Sequence, residues 1–375
     1  FLFSFSVQCW GNNANLQTTA SSSPTCAPQG VTIYPLTLLP SYQSIVMGLQ
    51  HTGVLLTGGL VYMWGSNQYG QLGIMSTNTG NFGTPTLVVL PAGTVVTVLA
   101  AGQYHTGAIG SDSSLYMWGR NSNGQLGNAD TSGANQNQPV KTGTGYTALA
   151  LGVYHSCGLQ GSAMYCWGNN GNCDVGNSGA INQFIFTPYP VTTLPSAVSP
   201  VSAMALGYQF TAVLGGGKVY VWGYNNYGQQ GQGSADYNNH CPSTSDPYVP
   251  FPMGSAVVQL SAGSSLVCAL VQGGAVYCWG FGTNGQLGVL PTPNYLMIPT
   301  LVSGLSSVTI SVISAGNAQV YAVSTGGTIY QWGGNGNCEG LSTTTYYSPM
   351  VLTALTNEAL LSQGGMAQGG CIVAH

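Results

Sequence analysis

The sequence predicts an all-β fold: a seven-bladed β-propeller of four-stranded antiparallel blades, closed by pairing of the N- and C-terminal strands, with residues 1–375 as a single domain. Three observations predict it. A Trp-Gly pair recurs seven times, at Trp10, Trp64, Trp118, Trp167, Trp222, Trp279 and Trp332, at intervals of 54, 54, 49, 55, 57 and 53 residues, and no tryptophan lies outside the series. Each interval holds four short apolar stretches bounded by Gly, Pro and Asn, with no helical periodicity. Partial units stand at both chain ends. Four strands repeating about every fifty residues describe a propeller, because a single blade has two apolar faces that only its neighbours can cover.

Within a unit, a small-residue strand ending in Ala-Gly leads to a Gly-x-x-His segment: Gly48 to His51, Gly102 to His105, Gly152 to His155. Later units place Phe210, Leu266, Gln319 and Gln368 in the His slot. A Gly-rich turn and the Tyr-x-Trp-Gly strand follow, as in Leu115-Tyr116-Met117-Trp118. The tryptophan suits the gap between blades, where such a side chain buries ~150–250 Å². Next comes Gly-x-Asn-x-x-Gly-Gln-Leu-Gly. Its second half is intact at 70–73, 124–127 and 285–288, altered at Cys173-Asp174-Val175-Gly176, Gly228-Gln229-Gln230-Gly231 and Cys338-Glu339-Gly340, and lost after Trp10. A looser loop then reaches a Pro-containing strand such as Thr84-Pro85-Thr86-Leu87-Val88. Phe5 to Gly11 opens the chain with part of a unit, and Leu361 to Ala374 ends it with another. One blade is therefore expected from both ends, which removes the open edge of the array.

Composition narrows the function. The chain has three basic residues (Arg120, Lys141, Lys218) and seven acidic ones, 3% charged against about 25% in an ordinary domain. Three cations are too few for counterion-release binding to nucleic acid. No apolar run approaches the ~18–20 residues of a spanning helix. Phe1 to Val7 reads as an alternating strand, with any leader already removed. There is no Asn-x-Ser/Thr sequon, while the Ser/Thr-rich loops leave O-linked sugar open. Ten cysteines without zinc-type Cys-x-x-Cys pairs point to disulfides and an oxidising, extracellular or cell-surface compartment.

The cysteines can be paired from spacing. Cys157 and Cys166 face one another across a hairpin turning at Gly161-Ser162, and Cys268 and Cys278 repeat the relation around a three-residue loop. Cys9 and Cys371 take similar places across the chain ends. Cys173 and Cys338 each stand six residues after their Trp, and Cys26 and Cys241 stand 16 and 19 after theirs. Neighbouring units then pair as Cys173–Cys241 and Cys26–Cys338.

Catalytic and metal chemistry find little support. His51, His105 and His155 are a ligand-like trio, but they share one repeat slot and are spread over three blades, so a structural role inside each blade is expected. His240 and His375 are isolated. Asp112, Asp130, Asp174, Asp236, Asp246, Glu339 and Glu358 form no spaced acid/base pair or calcium loop, and Ser21-Ser22-Ser23 has no His/Asp partners. A non-enzyme without cofactor or metal is expected.

The combination Gly-x-x-His…Tyr-x-Trp-Gly-x-Asn-x-x-Gly-Gln-Leu-Gly resembles the repeat of the regulator of chromosome condensation family over essentially the whole chain. The resemblance implies a seven-bladed propeller. It also implies, for the best-known members, nucleotide exchange on a small nuclear GTPase; that role uses a charged face and a wedge insertion, neither of which stands here, and disulfides do not suit a nucleus. Two roles remain. One is a structural subunit of an extracellular filament, appendage or surface assembly, self-associating through low-charge surfaces. The other is a secreted module recognising a protein or glycan through one propeller face. The longest insertion, Gly231 to Pro252 with Tyr237, His240, Tyr248 and Phe251, is the expected contact loop, followed by Tyr346-Tyr347.

Overall fold

The computed structural model describes residues 6–11, 14–17, 25–31, 42–236, 241–245, 248–252, 255–334, 345–352 and 369–374. Strands β1 (Ser6–Gly11) and β2 (Thr25–Val31) precede six blades of contiguous chain. Blade 1 is β3 (Tyr42–Met47), β4 (His51–Leu56), β5 (Val61–Ser66) and β6 (Asn81–Leu87). Blade 2 is β7 (Val96–Ala101), β8 (His105–Gly110), β9 (Leu115–Gly119) and β10 (Gln136–Gly143). Blade 3 is β11 (Ala148–Leu151), β12 (His155–Gln160), β13 (Ala163–Asn169) and β14 (Phe184–Pro190). Blade 4 has β15 (Ala203–Leu206), β16 (Phe210–Gly215) and β17 (Lys218–Gly223). Blade 5 is β18 (Val257–Ala262), β19 (Leu266–Val271), β20 (Val276–Phe281) and β21 (Tyr295–Leu301), and blade 6 is β22 (Ile310–Ala315), β23 (Gln319–Ser324), β24 (Ile329–Gly333) and β25 (Tyr346–Val351). The last strand, β26 (Gly369–Ala374), pairs antiparallel with β1, whose other edge carries β2.

Seven equal four-stranded blades are therefore not what the described residues form. Six contiguous blades stand beside a three-stranded sheet that joins the chain ends, and blade 4 has three strands. In blade 4 the long insertion takes the place of an outer strand. Among its described residues, Val249 joins the sheet through its N–H, which donates to Val219 O at 2.8 Å.

Side chains follow from alternation. In each blade the middle strands are buried on both faces, so β4 and β8 read as near-continuous apolar or small residues. The outer strands β6, β14 and β21 are largely exposed, and each carries a proline, which suits a sheet edge. Core clusters form between consecutive blades: Val46, Leu55 and Met63 of blade 1 pack with Leu99, Ala108 and Trp118 of blade 2. The innermost strands surround a cavity of about 260 Å³ lined by Val46, Leu99, Leu149, Met204 and Leu260. Val7, Cys9 and Cys371 of the terminal sheet pack on Ile45, Met47 and Trp64 of blade 1.

Among the described residues there is no α-helix; Ser178–Ala180 and Ser196–Val198 form single 3-10 turns. Among the described residues four disulfides are present. Cys157–Cys166 and Cys268–Cys278 join directly paired residues of hairpins, with Gly161 at φ +61° in the first turn. Cys9–Cys371 staples β1 to β26, and Cys173–Cys241 links the loop after β13 to the insertion after β17. The expected Cys26–Cys338 pair lies outside the described residues.

Candidate interaction face

The repeat motifs are partners across blades. The indole N–H of Trp118 donates to Gln71 O at 2.9 Å, so the tryptophan of blade 2 is held by the Gly-Gln-Leu-Gly block of blade 1. Trp167 does the same with Gln125 O (2.9 Å), Trp222 with Asp174 O (3.1 Å), Trp279 with Gln229 O (2.8 Å) and Trp332 with Gln286 O (3.0 Å). All these indoles are fully buried, so the bond satisfies the one polar atom of each ring. The block is not lost after Trp10. Gln17 accepts from Trp64 at 2.9 Å, and its Oε1 accepts from Asn15 N just as Gln71 Oε1 does from Tyr69 N. Leu16 takes the glycine slot at φ +59°, which hid the block from a motif search. Glycine is needed at the end of the block for space: a Cβ at Gly127, itself at φ +63°, would lie 2.7 Å from the Trp167 ring.

The three repeat histidines also act between blades rather than inside each one. His51 Nε2 lies 3.0 Å from Thr106 Oγ1, His105 Nε2 3.0 Å from Ser156 Oγ, and His155 Nε2 2.9 Å from Thr211 Oγ1, each partner belonging to the next blade. Each hydroxyl donates its single proton to the carbonyl that also holds the tryptophan: Gln71 O, Gln125 O or Asp174 O, all at 2.8 Å. The imidazole must then donate from Nε2, which leaves Nδ1 bare. Complete burial pushes all three imidazoles down to about 3, so they are neutral. Among the described residues no group of three or more His, Cys, Asp and Glu side chains gathers in metal-binding geometry.

Asp174 stands in the Gln slot of its block with no exposed surface. Neither carboxyl oxygen has a well-formed hydrogen bond, and burial raises its pKa well above the carboxylate range, outweighing the nearby backbone N–H groups of Asn172 and Asp174 that lower it. By contrast, Asp112 is exposed and Asp130 half-buried, with pKa values lowered by the hydroxyls and N–H groups of Ser114 and Ser132.

Above this relay, the turns joining first to second strands and the loops leaving the third strands share one end of the blades. There the side chains become aromatic. The Arg120 guanidinium lies over the rings of Tyr69 (5.4 Å), Tyr104 (5.8 Å) and Tyr154 (5.4 Å). Tyr69 and Tyr104 rings are 5.1 Å apart, and Tyr154 and Tyr208 rings 5.6 Å apart. Tyr227, with Tyr224 at 6.2 Å and Phe281 at 4.8 Å, continues the same end into blades 4 and 5. All are half-buried or exposed. The slots of Tyr104, Tyr154 and Tyr208 hold Ser264, Ser265, Asn317 and Ala318 in blades 5 and 6, so the fold does not require aromatics there. That break in repeat symmetry is the signal that could have found the arc.

The expected contact loop is dispersed. Tyr237 and His240 lie outside the described residues. Tyr248 is on the opposite face, 44% exposed beneath the Lys218 ammonium at 4.1 Å. Phe251 packs edge-on against Tyr277 and Trp279, both at 5.8 Å, and so serves the blade 5 core rather than a free contact. Tyr347 is 47% exposed on β25.

Residues 58–109, 112–159, 216–270 and 273–323 match the family model described as the regulator of chromosome condensation (RCC1) repeat, and 42–71, 96–125, 201–229 and 257–286 match a second model of that description. The chain is 31% identical over 251 residues to the ultraviolet-B receptor UVR8 of Arabidopsis thaliana, covering 66% of this chain and 54% of that protein. It is 31% identical over 329 residues to the human X-linked retinitis pigmentosa GTPase regulator (85% and 30%), and 26% identical over 302 residues to the human E3 ubiquitin-protein ligase HERC2 (77% and 6%). It thus spans about half or less of these relatives. In fold it is similar to human WBSCR16 (TM-score 0.83, 18% identity, 99% of both chains) and to Prp20p of Saccharomyces cerevisiae (TM-score 0.82, 21% identity, 100% and 92%).

Proposed function

The chain belongs to the regulator of chromosome condensation (RCC1) repeat family, and we propose that it is a non-enzymatic protein-interaction module of an oxidising, extracellular or cell-surface compartment. The observation that carries this reading is the arc of tyrosines around Arg120, which serves no repeat-wide packing purpose. Tyr and Arg are the residues that dominate binding energy at protein interfaces. The four disulfides support the compartment. A structure of the yeast relative bound to Kap60 illustrates that this fold presents protein-binding surfaces. The test is photo-crosslinking in native material with wild type, a Tyr69→Ser/Tyr104→Ser/Tyr154→Ser variant and a Tyr248→Ser control on the opposite face. A defined protein lost only with the triple variant supports the reading; identical crosslinks for all three chains would sink it.

A second reading, the self-associating subunit of a filament, appendage or surface assembly, is favoured by one observation. With ten charged residues in 375, apolar side chains stand exposed on the outer strands of adjacent blades: Met297, Ile298 and Leu301 on β21, Met350 and Val351 on β25. Pro299 and Pro349 oppose strand-to-strand addition there, so association would run through side chains. Contacts of that kind resist salt. Native polymers that fall to folded monomers in ~1 M salt, where the Debye length is ~3 Å, would exclude it.

A further inference from the structure

We propose that the cup formed by Tyr69, Tyr104 and Tyr154 around Arg120 is a receptor for a carboxylate side chain on an extended segment of a partner protein. This rests on the protein-binding reading above and names the chemistry that is bound.

Arg120 is held but unpaired by charge. Its Nε donates to Ser122 Oγ at 2.8 Å, and Ser122 Oγ donates to Asn123 Oδ1 at 3.0 Å, which fixes the guanidinium plane. Its backbone N–H donates to Tyr104 O at 2.9 Å, so the residue is tied to the same turn as the ring it covers. Among the described residues no carboxylate pairs with it, although the chain carries seven acidic residues against three basic ones. The other cations are not equivalent. Lys218 covers Tyr248 on the opposite face, and Lys141 lies on outer strand β10.

The three rings turn their faces to the guanidinium carbon, and the bond to Ser122 uses one of its five N–H donors. A guanidinium edge is a planar fork that matches a carboxylate in bidentate fashion. Because the rings already fix the fork, little side-chain entropy is lost on pairing, and partial desolvation strengthens it beyond an exposed surface pair. The same rings argue for a peptide over a sugar. A sugar stacks on an open ring face, whereas each of these three rings turns a face to Arg120, at 5.4, 5.8 and 5.4 Å, and Tyr69 and Tyr104 are tilted by 57° rather than coplanar.

The experiment pans the full, oxidised chain against phage-displayed random linear dodecapeptides, then measures the selected peptides and their Asp→Asn or Glu→Gln counterparts by fluorescence anisotropy. Wild type is compared with Arg120→Gln and Arg120→Lys. Ser122→Ala, which frees the guanidinium Nε and removes the bond to Asn123 but leaves Arg120 in place, keeps the test alive if an Arg120 variant fails to fold. The expected result is enrichment of acidic peptides, at least ten-fold weaker binding when either the carboxylate or Arg120 is neutralised, and no further loss when both are. Arg120→Lys falls between, and Ser122→Ala loses about three-fold. Peptides bound equally by wild type and Arg120→Gln overturn the carboxylate receptor and leave the protein-binding reading standing. Arg120-dependent binding of uronate or other acidic glycans on an array, with no peptide selected, overturns both. Absence of any ligand in either format overturns the receptor.

Discussion

His51 Nε2 and Thr106 Oγ1, 3.0 Å apart across the boundary of blades 1 and 2, are paired by residue type as well as by distance. Where a blade has His in this slot, the next blade offers a hydroxyl: Thr106, Ser156 or Thr211. Where the slot holds Phe210 or Leu266, the next blade offers Val267 or Val320, and each apolar pair shares one core cluster. The repeat thus uses two solutions to one problem. A buried imidazole needs a partner for Nε2–H, while a ring or branched chain needs only a matching surface.

The neutral histidines make stability depend on pH in a definite direction. Their imidazoles are depressed from 6.5 to about 3 by burial, so between those values the unfolded chain binds more protons than the folded one. Their contribution is complete above pH ~6.5 and is lost as pH falls towards 3. The slope reaches ~1.4 kcal/mol per pH unit for each histidine, ~4 kcal/mol for three. Urea midpoints measured at constant ionic strength should fall steadily from pH 6.5 to 4; a flat profile in that window would show that these rings are not buried neutral.

The pairing itself can be tested by exchange. His51→Phe leaves Thr106 Oγ1 without its donor, and Thr106→Val leaves the imidazole N–H unsatisfied, so each single change should cost ~1–3 kcal/mol. The double variant recreates the Phe210–Val267 combination. Its loss should be smaller than the sum of the singles by ~1 kcal/mol or more, in chemical denaturation at pH 7. Simple additivity would mean the two solutions are not interchangeable.

Much of this was legible in the sequence. The Trp-Gly period revealed the blades, and spacing alone paired Cys9 with Cys371, Cys157 with Cys166, Cys173 with Cys241 and Cys268 with Cys278. What escaped were the hydrogen-bonded and aromatic relations between units. Nothing within one repeat says that Gln71 O receives Trp118, and the substitution of Leu16 for glycine concealed Gln17 as a member of the series. The Tyr69–Arg120–Tyr154 arc escaped because its members occupy different slots of different repeats and meet only when the blades pack side by side. The insertion around Tyr248 attracted notice by length, but length says little about which face a loop serves.

Asp174 is the opposite case to the histidines. Its pKa is raised by burial, so the folded chain holds a proton that the unfolded chain releases above pH ~4, and stability declines as pH rises past that value. Asp174→Asn removes the titration while keeping the shape. It should raise stability at pH 7 and steepen the overall gain between pH 4 and 6.5, because the histidine slope is then unopposed. Thermal melts at pH 5 and 7 decide this; a variant less stable than wild type at pH 7 would mean the carboxylate has an unrecognised partner.

The last prediction concerns the seam. Cys9–Cys371 closes a sequence separation of 362 residues, whereas Cys157–Cys166 closes 9. In the chain-entropy picture these are worth ~6 and ~3 kcal/mol. Their consequences should differ in place as well as in size. The hairpin bridge lies between residues already paired within blade 3, so Cys157→Ser/Cys166→Ser should lower the melting temperature while leaving the pattern of amide protection intact. The terminal bridge holds two ends that, among the described residues, meet through the β1–β26 ladder and pack on blade 1. Cys9→Ser/Cys371→Ser should therefore open the seam first, with fast hydrogen exchange in β1, β26 and the facing β3 while β8, β12 and β16 stay protected. Uniform loss of protection across all blades would mean that the ring unfolds as one unit and that the seam is no weaker than its other boundaries.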